Sequence, residues 1–114
     1  MAGELLYSAK SDRDIVRWAK QYYFGGAIPK QLENDGKRYL VILGDNASGV
    51  MRVTVLLYVL ENNEWKLCLV RFTSNIDVHP EIDKKNNNLI FKSREGTIIL
   101  IQPLNSLKYE FAAP

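Results

Sequence analysis

The residues with the clearest chemical potential form a short acidic string around the only histidine of the chain. Asp77, His79, Glu81 and Asp83 are spaced by two, which places all four side chains on one face of a β-strand. Three carboxylates and an imidazole suit a divalent metal, and a carboxylate beside a histidine can orient it as a general base. Alternate residues of a strand are about 6 to 7 Å apart, so these donors form a line unless other elements converge on them.

The alternative interpretation of this string is a solvated face of an edge strand, where charge discourages aggregation between sheets. Pro80 supports an edge position because it removes one backbone donor from the ladder. We favour this interpretation, and we predict no cofactor. A small metal-dependent enzyme, or an extracytoplasmic ligand-binding domain that uses the same four residues, is the competing hypothesis.

A second group of charged residues is a row of cations at helical spacing. Lys10, Arg13, Arg17 and Lys20 align along one side of a helix. The row could meet an acidic partner protein, or it is simply the solvent face of an amphipathic helix. Nucleic acid is not expected, since the formal net charge is only +2 and no base-stacking motif accompanies the row.

The helix that carries this row is predicted from Ser11 to Phe24. Ile15, Trp18, Ala19 and Tyr22 follow the i, i+3, i+4, i+7 pattern of an apolar stripe. Ser11 with Asp14 three residues later marks its start. Gly25-Gly26 marks its end, because glycine adopts the left-handed conformation of a C-cap without strain.

Beyond residue 37 the pattern changes to β-strands joined as hairpins. Residues 39–43 are apolar throughout, which predicts a strand covered on both faces. Asn62-Asn63 predicts a two-residue turn between strands 50–61 and 64–73. The resulting register pairs Leu57 with Cys68, together with Val53 with Phe72, Val55 with Val70, Tyr58 with Leu67 and Leu60 with Trp65.

Further strands are predicted at residues 5–8, 76–83, 89–92 and 97–102. In the last hairpin Phe91 should face Ile99, and Leu89 should face Ile101. Leu107, Tyr109 and Phe111 alternate weakly, which leaves the end of the chain as a strand or a loose tail. The fold class is thus α+β: one N-terminal helix packed on an antiparallel sheet of five to six strands, in a single domain of residues 1–114.

The predicted register gives the second face of the long hairpin a mixture of polar and aromatic groups. Thr54, Tyr58, Trp65 and Arg71 share it with Arg52 at the end, and such mixtures occur at recognition surfaces. A helix packed over half of this face would explain the apolar residues without a partner. We therefore take two sets as candidate partner-binding residues: Arg52, Thr54, Tyr58, Trp65 and Arg71 on the sheet, and Arg13, Arg17 and Lys20 on the helix.

Composition and motifs narrow the class of protein. The 46% apolar and 25% charged fractions are ordinary for a globular protein, and no apolar run approaches the length of a membrane-spanning helix. Cys68 is the only cysteine and is expected to be buried opposite Leu57 rather than nucleophilic. Nucleophile elbows, Walker loops, dinucleotide-binding glycine patterns and paired-histidine zinc motifs do not occur.

These observations favour a non-catalytic module that binds another protein, such as a small bacterial immunity or accessory protein. The partner would have an acidic surface if the cationic row takes part. Residues 1–4, Met-Ala-Gly-Glu, do not form a secretory signal, which predicts a cytoplasmic protein, or a periplasmic or secreted one if a signal has been removed.

Overall fold

The computed structural model describes residues 4–47, 49–74 and 77–107, and it shows an α+β fold in three layers. A helix packs on one face of a five-stranded antiparallel sheet, and a three-stranded antiparallel sheet packs on the other face. The predicted fold class, one helix on an antiparallel sheet of hairpins, is confirmed. The separate second sheet was not expected.

The helix α1, Asp12–Tyr22, begins where the sequence predicts and ends slightly earlier. The Ser11 hydroxyl accepts a hydrogen bond from the backbone N–H of Asp14 at 3.2 Å, which satisfies one free amide of the first turn. Tyr23 caps the other end in an extended conformation, so Gly25 and Gly26 belong to the following turn. Only Gly26 is left-handed, with φ 102°. No helix in the described ranges is long and apolar enough to cross a membrane.

The large sheet has the strand order β1-β5-β4-β3-β2, and every neighbouring pair is antiparallel. Its strands are β1 Ser8–Ala9, β2 Ala27–Asn34, β3 Lys37–Asp45, β4 Val53–Glu61 and β5 Glu64–Thr73. The two central strands, β3 and β4, are buried over most of their length. The helix covers one face of these strands and the small sheet covers the other, which explains why their sequences are almost continuously apolar, as predicted for residues 39–43.

The small sheet has the order β6-β7-β8 and follows the large sheet in the chain. Its strands are β6 His79–Asp83, β7 Asn88–Lys92 and β8 Ile98–Pro103, and a 3-10 turn covers Leu104–Ser106. The predicted edge strand is confirmed as β6, which pairs with β7 and with no other strand in the described part of the chain. Leu107 is extended and packs against the core; Tyr109 and Phe111 lie outside the described residues.

Strand β2 is the element that the sequence reasoning missed. It forms a hairpin with β3 through Asp35-Gly36, and both turn residues have positive φ, 55° and 74°. This is the geometry of a two-residue hairpin loop that Asp-Gly favours, so the dipeptide was a usable signal. The sequence of the strand shows no clear alternation of apolar and polar residues, because the strand is an exposed edge that contains Pro29.

The β4–β5 hairpin matches the prediction near its turn and departs from it beyond Cys68. Asn62 and Asn63 both have positive φ, and Leu60 pairs with Trp65 as expected. Leu57 then pairs with Leu69 instead of Cys68, because Cys68 is an extra residue in a β-bulge. The predicted pairs of Val53 with Phe72 and of Val55 with Val70 are therefore wrong by one residue, and the actual partners are Thr73 and Arg71.

The bulge changes which face the end of β5 presents. Leu67 lies in the core under the helix, whereas Cys68 and Leu69 both lie in the core between the sheets. Beyond them, Arg71 pairs with Val55 on the small-sheet side, and Phe72 pairs with Thr54 on the helix side. The predicted mixed polar and aromatic face is thus divided between the two sides of the sheet.

The last hairpin also contains a shift that the sequence reasoning did not foresee. Phe91 pairs with Leu100 rather than Ile99, and Leu89 pairs with Gln102 rather than Ile101. The irregularity lies between Phe91 and Lys92, next to the turn. Both Leu89 and Phe91 still point into the core between the sheets, so the buried face of β7 is as predicted. On β8 the shift exchanges the faces, and Gln102 is buried while Ile101 is exposed.

The two sides of the large sheet have separate cores. Between the sheets, Leu57 and Val55 meet Leu89 and Phe91. Under the helix, buried residues are Ile15, Ala19, Tyr23, Leu40, Ile42, Leu56, Tyr58, Trp65 and Leu67. Tyr23 lies directly over Gly44, where an added Cβ would come within 2.5 Å of the Tyr23 ring.

The two sheets are tied together at one end. Asn34 at the end of β2 donates a hydrogen bond to the Asn87 side chain at 2.6 Å, and Asn87 donates to Asn105 at 2.5 Å. The opposite end contains the start of β2, the end of β3 and the start of β6, and there a cleft separates the sheets. This open end positions the candidate functional site.

Candidate functional site

The cleft at the open end has a volume of about 520 Å³, which is within the range of ligand-binding pockets. Its walls come from the edge strands β2 and β6, from the end of β3 and the start of β4, and from the turn before β2. The apolar wall residues are Ala27, Ile28, Leu43, Val53, Val78 and Pro80. Four ionisable residues also line it, namely Lys30, Asp45, Asp77 and His79.

His79 stands at the mouth of this cleft and is hydrogen-bonded to Asp77. The His79 Nε2 atom is 2.9 Å from the Asp77 Oδ1 atom, and 65% of the His79 side chain is exposed. Arg94 Nε approaches the other oxygen of Asp77 at 3.1 Å. The pair has the geometry of a carboxylate that orients an imidazole, but the described residues that line the cleft include no Ser, Thr or Cys.

Glu81 and Asp83, the other two members of the acidic string, are engaged elsewhere. They follow His79 along the outer face of β6, as the spacing of two predicts. Glu81 forms an ion pair with Lys92 at 2.6 Å. Hydrogen bonds from Asn86 hold the pKa of the Asp83 carboxyl below its usual value. Among the described residues, no group of three or more His, Cys, Asp or Glu side chains could hold a metal ion.

Asp45, on the opposite wall, is held by an arginine. Arg52 approaches its two carboxylate oxygens at 2.9 and 3.3 Å, a bidentate geometry that fixes both side chains. These bonds, with a further one from the Ala47 N–H, hold the pKa of Asp45 below its usual value. The acid therefore stays ionised and paired at neutral pH.

Three of the predicted partner-binding residues are buried under the helix. Tyr58 is fully buried, and its hydroxyl donates to the Leu6 carbonyl at 2.6 Å; burial raises its pKa well above the usual value. Trp65 is 4% exposed, with the Arg38 guanidinium 5.8 Å from its ring centroid. Thr54 is also 4% exposed and bonds to Asn46. The structure assigns these three side chains to packing.

The other predicted partner-binding residues reach the surface. Arg71 is exposed near the end of β5, and Arg52 is partly exposed in its pair with Asp45. On the helix, Arg13, Arg17 and Lys20 are exposed. Arg17 is paired with Asp14 at 2.9 Å, and such exposed pairs contribute little to stability.

A group of exposed apolar residues was missed by the sequence reasoning. Its members are Phe24, Val50, Met51 and Phe72, which are 84%, 80%, 57% and 59% exposed; we call them the apolar rim. Phe72 ends the row Ala27, Gly44, Thr54, Phe72 across four strands, and the turn and the loop holding the other three adjoin the same row. Large apolar residues beside Gly25 and Gly49, in turns that could not bury them, were the signal.

Comparisons with protein-family models, with curated proteins and with solved structures found no match.

The reactivity of Cys68 tests whether the bulge buries this thiol between the sheets. The thiol is buried against the Leu57 carbonyl, with Sγ 3.4 Å from that oxygen, and burial raises its pKa to about 12. Because the thiolate is the reactive form, we expect an aromatic disulfide reagent to leave Cys68 unmodified in the folded protein at mildly alkaline pH. The same reagent should modify it fully in concentrated guanidinium chloride. Rapid stoichiometric reaction of the folded protein would contradict the buried position.

Proposed function

We propose that this chain is a non-catalytic module that binds another protein through the apolar rim. The observation that carries the proposal is the position of the exposed apolar side chains. Among the residues that the structure describes, seven large hydrophobic side chains are highly exposed, and four of them belong to the rim at one end of the large sheet. Clustered apolar exposure marks interaction sites, whereas isolated exposed residues are normal on any surface.

The composition of this end supports a protein partner in particular. Aromatic residues and methionine are enriched at protein interfaces, and the rim consists of Phe24, Phe72, Met51 and Val50. Small immunity and accessory proteins act in this way, by covering part of another protein.

Among the described residues of the cleft wall there is no serine, threonine or cysteine, which supports a non-catalytic role over the enzyme hypothesis. The one thiol of the chain is Cys68, which is buried between the sheets. The His79–Asp77 pair alone could move a proton, but none of the described wall residues offers it a hydroxyl or thiol to activate.

The proposal is tested by comparing two matched substitutions. Phe72→Asp and Ile98→Asp both place a carboxylate where an apolar side chain is half exposed, 59% and 51% respectively. Phe72 belongs to the rim, and Ile98 lies on β8 of the small sheet. A partner is first captured from a lysate of the source organism, then purified, and its affinity for each variant is measured by calorimetry.

We expect Phe72→Asp to weaken the complex at least about tenfold, because a charge placed in a desolvated apolar contact costs more than 1.4 kcal/mol. Ile98→Asp should bind like the unchanged protein. Both variants should keep the melting temperature within a few degrees, since neither side chain is in a core. Equal affinities for the two variants, or the lack of any protein retained above a blank resin, would contradict the proposal.

A further inference from the structure

The cleft at the open end has apolar walls and one positive charge that no acidic residue of the wall neutralises. Ile28, Leu43, Val53, Val78 and Pro80 supply apolar walls from both sheets. The cleft is open to solvent on one side, next to the exposed His79. A ligand of moderate size could bury an apolar group between the sheets and keep a polar end at the mouth.

Both carboxylates of the cleft are already matched by cations of the chain itself. Asp45 is held by Arg52 through two contacts. Asp77 lies 2.9 Å from His79 and 3.1 Å from Arg94. Neither acid is thus left to attract a cationic ligand.

Lys30 is the ionisable residue of the cleft wall that has no oppositely charged partner among the described residues. It is exposed on β2, and no ion pair joins it to any residue in the part of the chain that the structure describes. Ile28 pairs with Leu43 and Lys30 with Val41, so both side chains are on the side of β2 that faces the small sheet. The methylene groups of Lys30 therefore continue the apolar wall, while its ammonium group lies at the solvent-exposed edge of the cleft.

We infer that the cleft binds an apolar chain that ends in a carboxylate, with the chain between the sheets and the carboxylate on Lys30. The charge complementarity selects an anion, and the walls select an apolar body. Two sources supply this chemistry: the free C-terminus of a polypeptide with an apolar last residue, and an aliphatic carboxylic acid. The inference does not depend on the apolar rim, which shares no residue with the cleft wall.

The experiment uses two acids, each with a neutral counterpart. An N-acetylated tetrapeptide that ends in leucine is compared with its C-terminal amide, and decanoate is compared with decanamide. Binding is followed by amide chemical shifts of the full-length protein, and dissociation constants are obtained from the titrations. Lys30→Gln removes the charge, Lys37→Gln is the matched exposed control at the tied end of the sheets, and Ile28→Asp places a carboxylate in the wall.

We expect at least one acid to shift residues 25–30 and 77–80, and to bind at least about fivefold more tightly than its amide. Lys30→Gln should abolish this preference and Lys37→Gln should retain it. Ile28→Asp, at a residue 65% exposed in the folded protein, should weaken both ligands, and the acid more than the amide because the new carboxylate lies on the same side of β2 as Lys30. Binding of the peptide acid would identify the ligand as a polypeptide C-terminus, and binding of decanoate would identify it as an aliphatic carboxylic acid.

Three results would overturn the inference. The first is that neither acid shifts the cleft resonances at millimolar concentration. The second is equal affinity of acid and amide, which would mean that charge plays no part. The third is an acid preference that survives in Lys30→Gln, which would place the carboxylate elsewhere.

Discussion

Replacing Gly44 with alanine is expected to destabilise the protein, although the same change in an ordinary strand would stabilise it. Glycine within a strand costs about 0.5 to 1 kcal/mol relative to alanine because of its backbone freedom. At Gly44, however, the new Cβ would lie 2.5 Å from carbons of the Tyr23 ring. We expect a net loss of about 1 to 3 kcal/mol in the free energy of unfolding, the usual cost of overpacking a core.

The Tyr23 ring cannot move aside without loss. It is 4% exposed, packs against Tyr22 and Trp18, and bonds to Thr54. Its position at the C-terminus of α1 makes Gly44 the contact point between helix and sheet. Burial raises the pKa of Tyr23 to about 12, so its hydroxyl stays protonated throughout the neutral range.

The control for Gly44→Ala is the same substitution in a Tyr23→Leu background. Without the ring, alanine at position 44 should be neutral or stabilising, so the sign of its effect reverses. Urea unfolding of the four proteins gives the coupling energy directly. If Gly44→Ala destabilises equally in both backgrounds, contact with the ring is not the cause.

Phe91→Ala is expected to cause the largest loss of any single truncation in the core between the sheets. Phe91 is fully buried on β7, the central strand of the small sheet. Removing a buried phenylalanine ring costs about 3 to 5 kcal/mol, since both burial and packing are lost. That is a large share of the roughly 5 to 15 kcal/mol that stabilises a domain of ordinary size.

Two probes show whether the three layers unfold together. Trp18 and Trp65 report on the helix side of the large sheet, and far-ultraviolet circular dichroism reports on all strands. We expect both transitions of Phe91→Ala to shift together in urea. Ile98→Ala on β8, at a side chain 51% exposed, is the control and should change the free energy of unfolding by less than about 1 kcal/mol. A comparable loss in the control, or separate transitions, would contradict a single cooperative unit.

The sequence predicted those parts of the fold that are specified locally. The Ser11 cap and the Asn62-Asn63 turn depend on a few adjacent residues with strong conformational preferences. The bulge at Cys68 could not be predicted in this way, because the register without it gives the better apolar pairs: it would place Val70 opposite Val55, where the actual ladder places Arg71. Packing against two layers decides between them, and that is a property of the whole fold.

The same distinction between local and long-range features applies to the candidate site. The spacing of two predicted that Asp77 and His79 would share one face of a strand, but it did not predict the hydrogen bond that joins their side chains. The cleft wall depends on β2 lying beside β6, and these strands are about fifty residues apart in the chain. Alternation in a sequence shows that one side of a strand is buried, but it does not show what covers it.

The unpaired residue in β5 makes this strand tolerant of the loss of a single codon. Without Cys68 the ladder would be continuous, so Leu69, Val70 and Arg71 would keep their partners and their sides of the sheet. Gene variants should therefore tolerate deletion at this position better than deletion within the regular strand β3, where the loss of one residue would turn over the rest of the strand, whereas the segment between β3 and β4 can change length without inverting any strand.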